Sequence, residues 1–102
     1  MTTSYLASLF LSDEENKKRI AWSKATPVSG ALDLRMDCDG RLIRFGEYGR
    51  ITEYGWEIDH IYATILGGAD SPSNIRARHW RGNRSAGGTL GGLLGDVGRK
   101  SR

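Results

Sequence analysis

Asp59 and His60 are adjacent, Asn74 follows the histidine by fourteen residues, and Asn83 follows Asn74 by nine. A neutral imidazole, with an ordinary pKa of about 6.5, can accept a proton at working pH. Carboxylate and amide oxygens are the hard donors that a cation such as Mg²⁺ prefers. Types and spacing together look like an active site, in which a base, a loop anchor and two oxygen ligands for a hard metal would converge on one phosphodiester. Neighbouring side chains of a regular strand point to opposite faces. The Asp59-His60 pair can therefore act on one phosphate only if the strand ends, twists or bulges there. Unbroken ladder pairing through both residues, with diverging side chains, would count against this reading.

The elements that must position these residues are legible from punctuation and period. Ser12, Asp13, Glu14 and Glu15 have the form of a capping box, with the serine oxygen on an early amide and Glu15 reaching back. They predict a helix over 13–24, ended by Pro27 and Gly30. Leu32, Leu34 and Met36 alternate with polar residues, Asp39 and Gly40 supply a tight turn, and Leu42, Ile43 and Phe45 follow, which predicts a hairpin. Trp56, Ile58 and His60 fall on one side of a later strand, with Glu57, Asp59 and Ile61 on the other. A loop over 62–73, containing Gly67, Gly68 and Pro72, returns into a strand near 74–78. Residues 79–86 read as a short helix ended by Gly87 and Gly88, before a glycine-rich basic tail over 89–102 whose final residues are expected to be mobile. The fold class is α+β, divided into a helical segment over 1–30, the site-bearing domain over 31–88 and the tail.

Composition narrows the chemistry. At 102 residues the chain is one small domain. The lone Cys38 excludes an internal disulfide framework and paired Cys-x-x-Cys zinc knuckles, and a reducing cytosol is the natural setting. No segment is long enough to span a bilayer, and residues 1–11 lack the pattern of an export signal. A net charge of +3 and a pI near 9.3 suggest an anionic partner. The basic residues concentrate where the asparagines are, with Arg76, Arg78, Arg81 and Arg84 flanking the site.

Over residues 37–88 the chain resembles the HNH endonucleases of the His-Me finger (ββα-metal) superfamily. The resemblance is carried by Tyr54, Gly55, Trp56, Glu57, Ile58, Asp59, His60 and Ile61, by Gly67, Gly68 and Asp70, and by Ser73, Asn74, Ile75, His79, Trp80 and Asn83. It is closest to the small bacterial and phage type without cysteine knuckles, and the hairpin over 31–45 could stand in for a missing knuckle. The resemblance implies a ββα-metal domain preceded by an N-terminal helix and a β-hairpin. It implies His60 as general base, Asp59 and Asn83 as ligands of one divalent cation (Mg²⁺, with Mn²⁺ as an alternative), and Asn74 as the residue lacing the loop so that a loop carbonyl fixes the histidine ring. The chain departs from the pattern at Ala63, where relatives carry proline, and at Ala86, where a lysine is usual.

The implied activity is metal-dependent hydrolysis of double-stranded DNA in the cytoplasm of a bacterial or phage-infected cell, a setting that suits a protein of a phage or mobile element. Arg76, Arg78, Arg81 and Arg84 would be phosphate contacts, Arg81 and Arg84 foremost, and a partner protein could supply targeting. The alternative is a non-catalytic nucleic-acid-binding accessory protein with the same fold. Each residue also has an ordinary reading. An Asp-His pair alone is usually a surface ion pair, Asn74 could be a turn residue, and Asn83 an exposed helix residue. The arginines could be a solvated basic face. His79 is expected to be structural, Trp56 and Trp80 to be core, and Cys38 to be an unpartnered thiol.

Overall fold

In the computed structural model, which describes residues 12–93, the Ser12 side chain accepts a hydrogen bond from the Glu15 N–H at 3.0 Å and opens helix α1, Asp13–Ser23. Such a cap is worth about 1 kcal/mol. Glu15 does not reach back to the serine, and its carboxylate pairs with Lys18 and Arg19 on the next turn. Expectations for residues 1–11, and for the end of the tail beyond residue 93, fall outside the described residues.

Three antiparallel strands follow: β1 (Thr26–Val28), β2 (Ala31–Met36) and β3 (Leu42–Arg44), in the order β1-β2-β3. The β2–β3 hairpin forms where the alternation placed it, turning at Asp39 and Gly40 with Gly40 at φ +82°. Strand β1 was not anticipated. It is an edge strand that shifts register between Pro27 and Val28, a setting in which proline's missing N–H is tolerated.

The second sheet pairs β4 (Trp56–His60) with β5 (Ile75–His79), antiparallel, from Trp56↔His79 to His60↔Ile75. One face of it is apolar. Trp56, Ile75 and Ala77 are buried there with Ile43 of β3 and Ala21, Trp22 and Ala25 from the α1 side, flanked by Phe45, Tyr48 and Ile58. The Trp56 ring lies 5.4 Å from Trp22 and 4.8 Å from Tyr48 between centroids, and its Nε1 donates to the Arg44 carbonyl at 2.9 Å. Burying one such ring contributes on the order of 2–3 kcal/mol. The N-terminal helix therefore shares one core with the site-bearing strands.

The other face of this sheet carries Glu57, Asp59, Arg76 and Arg78, and helix α2 (Trp80–Leu93) contributes Asn83 and Arg84 to it. Helix α2 starts directly after β5 and runs through Gly87 and Gly88, past its expected end. Glycine costs a helix about 1 kcal/mol relative to alanine but does not by itself stop it. No helix among the described residues is long and apolar enough to cross a membrane. Among the described residues the architecture is α+β, with two α-helices and two small antiparallel sheets.

Candidate functional site

The loop over 61–74 is laced by Asn74. Its Oδ1 accepts the Tyr62 N–H at 2.8 Å, and its Nδ2 donates to the carbonyls of Tyr62 at 3.0 Å and Ala69 at 2.7 Å. The Ile61 N–H donates to the Asn74 carbonyl at 2.8 Å, extending the β4–β5 pairing into the loop. Gly68 makes the crossing feasible, because a Cβ there would lie 1.8 Å from the Tyr62 carbonyl oxygen. From α1, Lys24 donates to the carbonyls of Pro72 and Ile75 and fastens the loop from outside.

His60 is half-buried at the end of β4, and its ring is met by a side chain rather than by a loop carbonyl. Nε2 lies 3.1 Å from Asp70 Oδ1, while Lys17 of α1 pairs with the other oxygen of the same carboxylate. The bond from Lys17 foremost, then that from His60, holds the Asp70 carboxyl below its usual range, and the same pairing raises Lys17. An ionised carboxylate at Nε2 selects the tautomer protonated there. Nδ1 is then the nitrogen with a lone pair for a proton.

The ladder runs without a break through both Asp59↔Arg76 and His60↔Ile75, and the strand ends only after His60. The two side chains diverge. This is the arrangement that weighs against their acting together from one strand face, and no bulge relieves it. The outer edge of β4 offers another geometry. Beyond the bridge between Tyr48 and Trp56 it borders a groove of about 390 Å³, to which Ile58 and His60 contribute from the core face and Glu57 and Asn83 from the α2 face. His60 and Asn83 thus share a groove, while Asp59 is not among its lining residues.

Asp59 is instead covered. It is 9% exposed, and Arg76, directly opposite on β5, donates from Nε to Asp59 Oδ2 at 2.8 Å. Arg78 Nη1 stands 3.7 Å from the same oxygen but is committed to Asp39, which it holds with two bonds of 2.7 and 3.2 Å. Those bonds hold the Asp39 carboxyl below its usual range. Gly82 of α2 permits this pair, since a Cβ there would come within 2.5 Å of Asp39 Oδ2. Glu57 receives Asn83 Nδ2 at 2.9 Å on one oxygen and the Arg84 guanidinium at 2.6 and 3.1 Å on the other. Burial acts to raise the Glu57 carboxyl, but the bonds from Arg84 and Asn83 outweigh it and leave it lowered. Of the four arginines expected at phosphates, Arg76, Arg78 and Arg84 are thus on carboxylates. Arg81 has no carboxylate partner among the described residues and stacks on Trp80, 4.5 Å from the ring centroid.

Among the described residues no three His, Cys, Asp or Glu side chains converge as metal ligands. The donor set still fits a hard cation in kind. Glu57 and Asp59 share the α2 face, Asn83 reaches that face through Glu57, and the Oδ1 atoms of Asp59 and Asn83 accept no hydrogen bond from any described residue. Two such oxygens, with solvent and a phosphate, suit an ion that keeps several waters.

The remaining expected residues have structural roles. His79, buried at 3% exposure, donates from Nε2 to the Glu53 carbonyl at 2.7 Å and accepts the Arg81 N–H at Nδ1. Trp56 is core, but Trp80 is only half-buried, with its Nε1 on the Thr52 carbonyl at 2.7 Å. Cys38 is exposed and unbonded to sulfur. The sequence assigned no role at the site to Glu57, Asp70 or Lys17. Glu57 was detectable as the residue sharing a strand face with Asp59, and Asp70 as the acid following the double glycine.

Comparison of the chain with protein-family models, with curated proteins and with solved structures returns no match. The functional reading rests on the residues and their arrangement.

Proposed function

We propose that the chain is a metal-dependent endonuclease of the HNH, ββα-metal type that hydrolyses DNA phosphodiester bonds. One observation carries this reading: His60 ends β4 on an open groove that Asn83 enters from the facing helix, below a loop laced by Asn74. His60 takes the proton of the attacking water at Nδ1, with Asp70 holding the ring and Lys17 holding Asp70. Asn83, oriented by Glu57 through its amide nitrogen, and Asp59 would hold one divalent cation, Mg²⁺ or Mn²⁺, by their Oδ1 atoms. Bound there, the cation would offset charge growing on the phosphoryl and leaving oxygens. Arg81 is the arginine available to a neighbouring phosphate without losing a carboxylate.

A second reading has specific support. The unbroken ladder at Asp59-His60, which sends the two side chains to opposite faces, suits a nucleic-acid-binding protein without turnover. Plasmid nicking with Mg²⁺ or Mn²⁺, against EDTA and against His60→Ala, separates the two. The nuclease reading expects metal-dependent nicking that falls by about 10²–10⁴-fold in His60→Ala. Retardation of DNA without cleavage under any divalent metal, or cleavage indifferent to His60→Ala, removes it.

A further inference from the structure

The α2 face of the second sheet carries its own counter-ions: Asp59 on Arg76, Asp39 on Arg78 and Glu57 on Arg84, three carboxylates against three guanidinium groups. A cation and a phosphate arriving there each meet a group already neutralised by its neighbour. Arg76 is where the two demands coincide. Its Nε is the donor held at 2.8 Å by the candidate ligand Asp59, it is directly opposite Asp59 in the ladder, and its side chain is 30% exposed, against 11% for Asp59. The more exposed partner can turn toward solvent, whereas the buried carboxylate stays.

Resting on the nuclease reading above, we propose that Arg76 is a shared counter-ion that makes the divalent cation and the nucleic-acid phosphate bind cooperatively. Without nucleic acid, Arg76 on Oδ2 neutralises the Asp59 carboxylate and weakens the hold of its free Oδ1 on a cation. A phosphate accepting the guanidinium restores the full charge of Asp59 to a cation at Oδ1, and a cation at Oδ1 loosens Arg76 from Oδ2. By linkage, each ligand then tightens the other by the same factor. Arg78 does not play this part, because both of its short bonds go to Asp39 and it stands 3.7 Å from Asp59. The cation is thereby assembled chiefly on the nucleic-acid-bound protein.

The test measures Mn²⁺ binding by the electron paramagnetic resonance of free Mn²⁺. It uses the full chain carrying His60→Ala to prevent cleavage, with and without a short DNA duplex, and subtracts Mn²⁺ bound by the duplex alone. Duplex is expected to tighten Mn²⁺ binding by about tenfold. Adding Arg76→Gln is expected to tighten binding without duplex by about fivefold and to shrink the gain from duplex, while Arg78→Gln changes it little. Should Arg76→Gln melt too early, Arg76→Lys, which keeps the charge but loses the guanidinium fork, must fall between the parent and the expected value. Mn²⁺ binding that is unchanged or weakened by the Arg76 substitutions, or a parent indifferent to duplex, overturns the inference alone. No Mn²⁺ binding in any chain, with or without duplex, removes the nuclease reading as well.

Discussion

Asn74 shows how a single side chain can shape the loop beside the candidate site without entering that site. Three hydrogen bonds between one amide and the backbone of Tyr62 and Ala69 leave no freedom to exchange its oxygen and nitrogen, since Oδ1 faces an N–H and Nδ2 faces two carbonyls. Asn74→Ala should therefore lower unfolding free energy by about 2–3 kcal/mol in urea titrations and, on the nuclease reading, reduce nicking by about 10–100-fold. Asn74→Asp, nearly isosteric, should do no better, because it sets a carboxylate against the carbonyls of Tyr62 and Ala69. That Asn74 laces the loop was implied by the resemblance, and the structure shows the lacing. The contacts around it were less so. Strand alternation shows that Glu57 and Asp59 share a face, but it does not show that Arg76 would stand opposite Asp59, because the register depends on how the whole loop over 61–74 closes. Asp70 carried a similar ambiguity, and its pairing with Lys17 joins residues 53 positions apart.

At the scale of elements, the hairpin is tied to the site strands by Asp37. This buried carboxylate accepts the N–H groups of Asp39 at 2.9 Å and Arg41 at 2.8 Å within the turn, and of His79 at 2.8 Å at the junction of β5 and α2. Asp37→Ala leaves three donors without this acceptor at a buried junction, and a loss of about 3 kcal/mol is expected from thermal or urea unfolding of the full chain. A loss below about 1 kcal/mol would mean that the hairpin is held mainly by the packing of Ile43. Helix α1, the hairpin and the β4–β5 pair were legible because each carries a strong local signal: a serine cap, a two-residue period, an Asp-Gly turn. Strand β1 was not, because Pro27 and Gly30 sit where breakers ordinarily stand and its pairing with β2 is a tertiary choice. The extent of α2 was misread for the converse reason, since the Gly87-Gly88 pair has the form of a helix stop but here continues the helix.

For the whole molecule, the net charge of +3 conceals a set of close carboxylate–cation pairs that hold the hairpin, loop and helix against the site strands. Asp39, Glu57 and Asp70 each join elements distant in sequence, and each has a carboxyl held below its ordinary range. A depressed folded-state pKa means that the unfolded chain binds protons first as pH falls. The stabilisation is thus fully present above the ordinary carboxylate pKa of about 4 and is lost as pH drops through the lower folded values. Exposure and salt screening keep each contribution small, so the effect belongs to the set. Unfolding free energy from urea titrations should be flat from pH 7 to about pH 5 and fall progressively below about pH 4. The acid loss should shrink in an Asp39→Asn chain, which has one depressed carboxyl fewer, and added salt should lower stability at pH 7 more than at a pH below the folded-state values of these carboxyls, where the pairs are gone. A chain whose stability rises on acidification would show that Asp39, Glu57 and Asp70 are not held as ion pairs in solution, and the counter-ion exchange at Arg76 would lose its electrostatic setting.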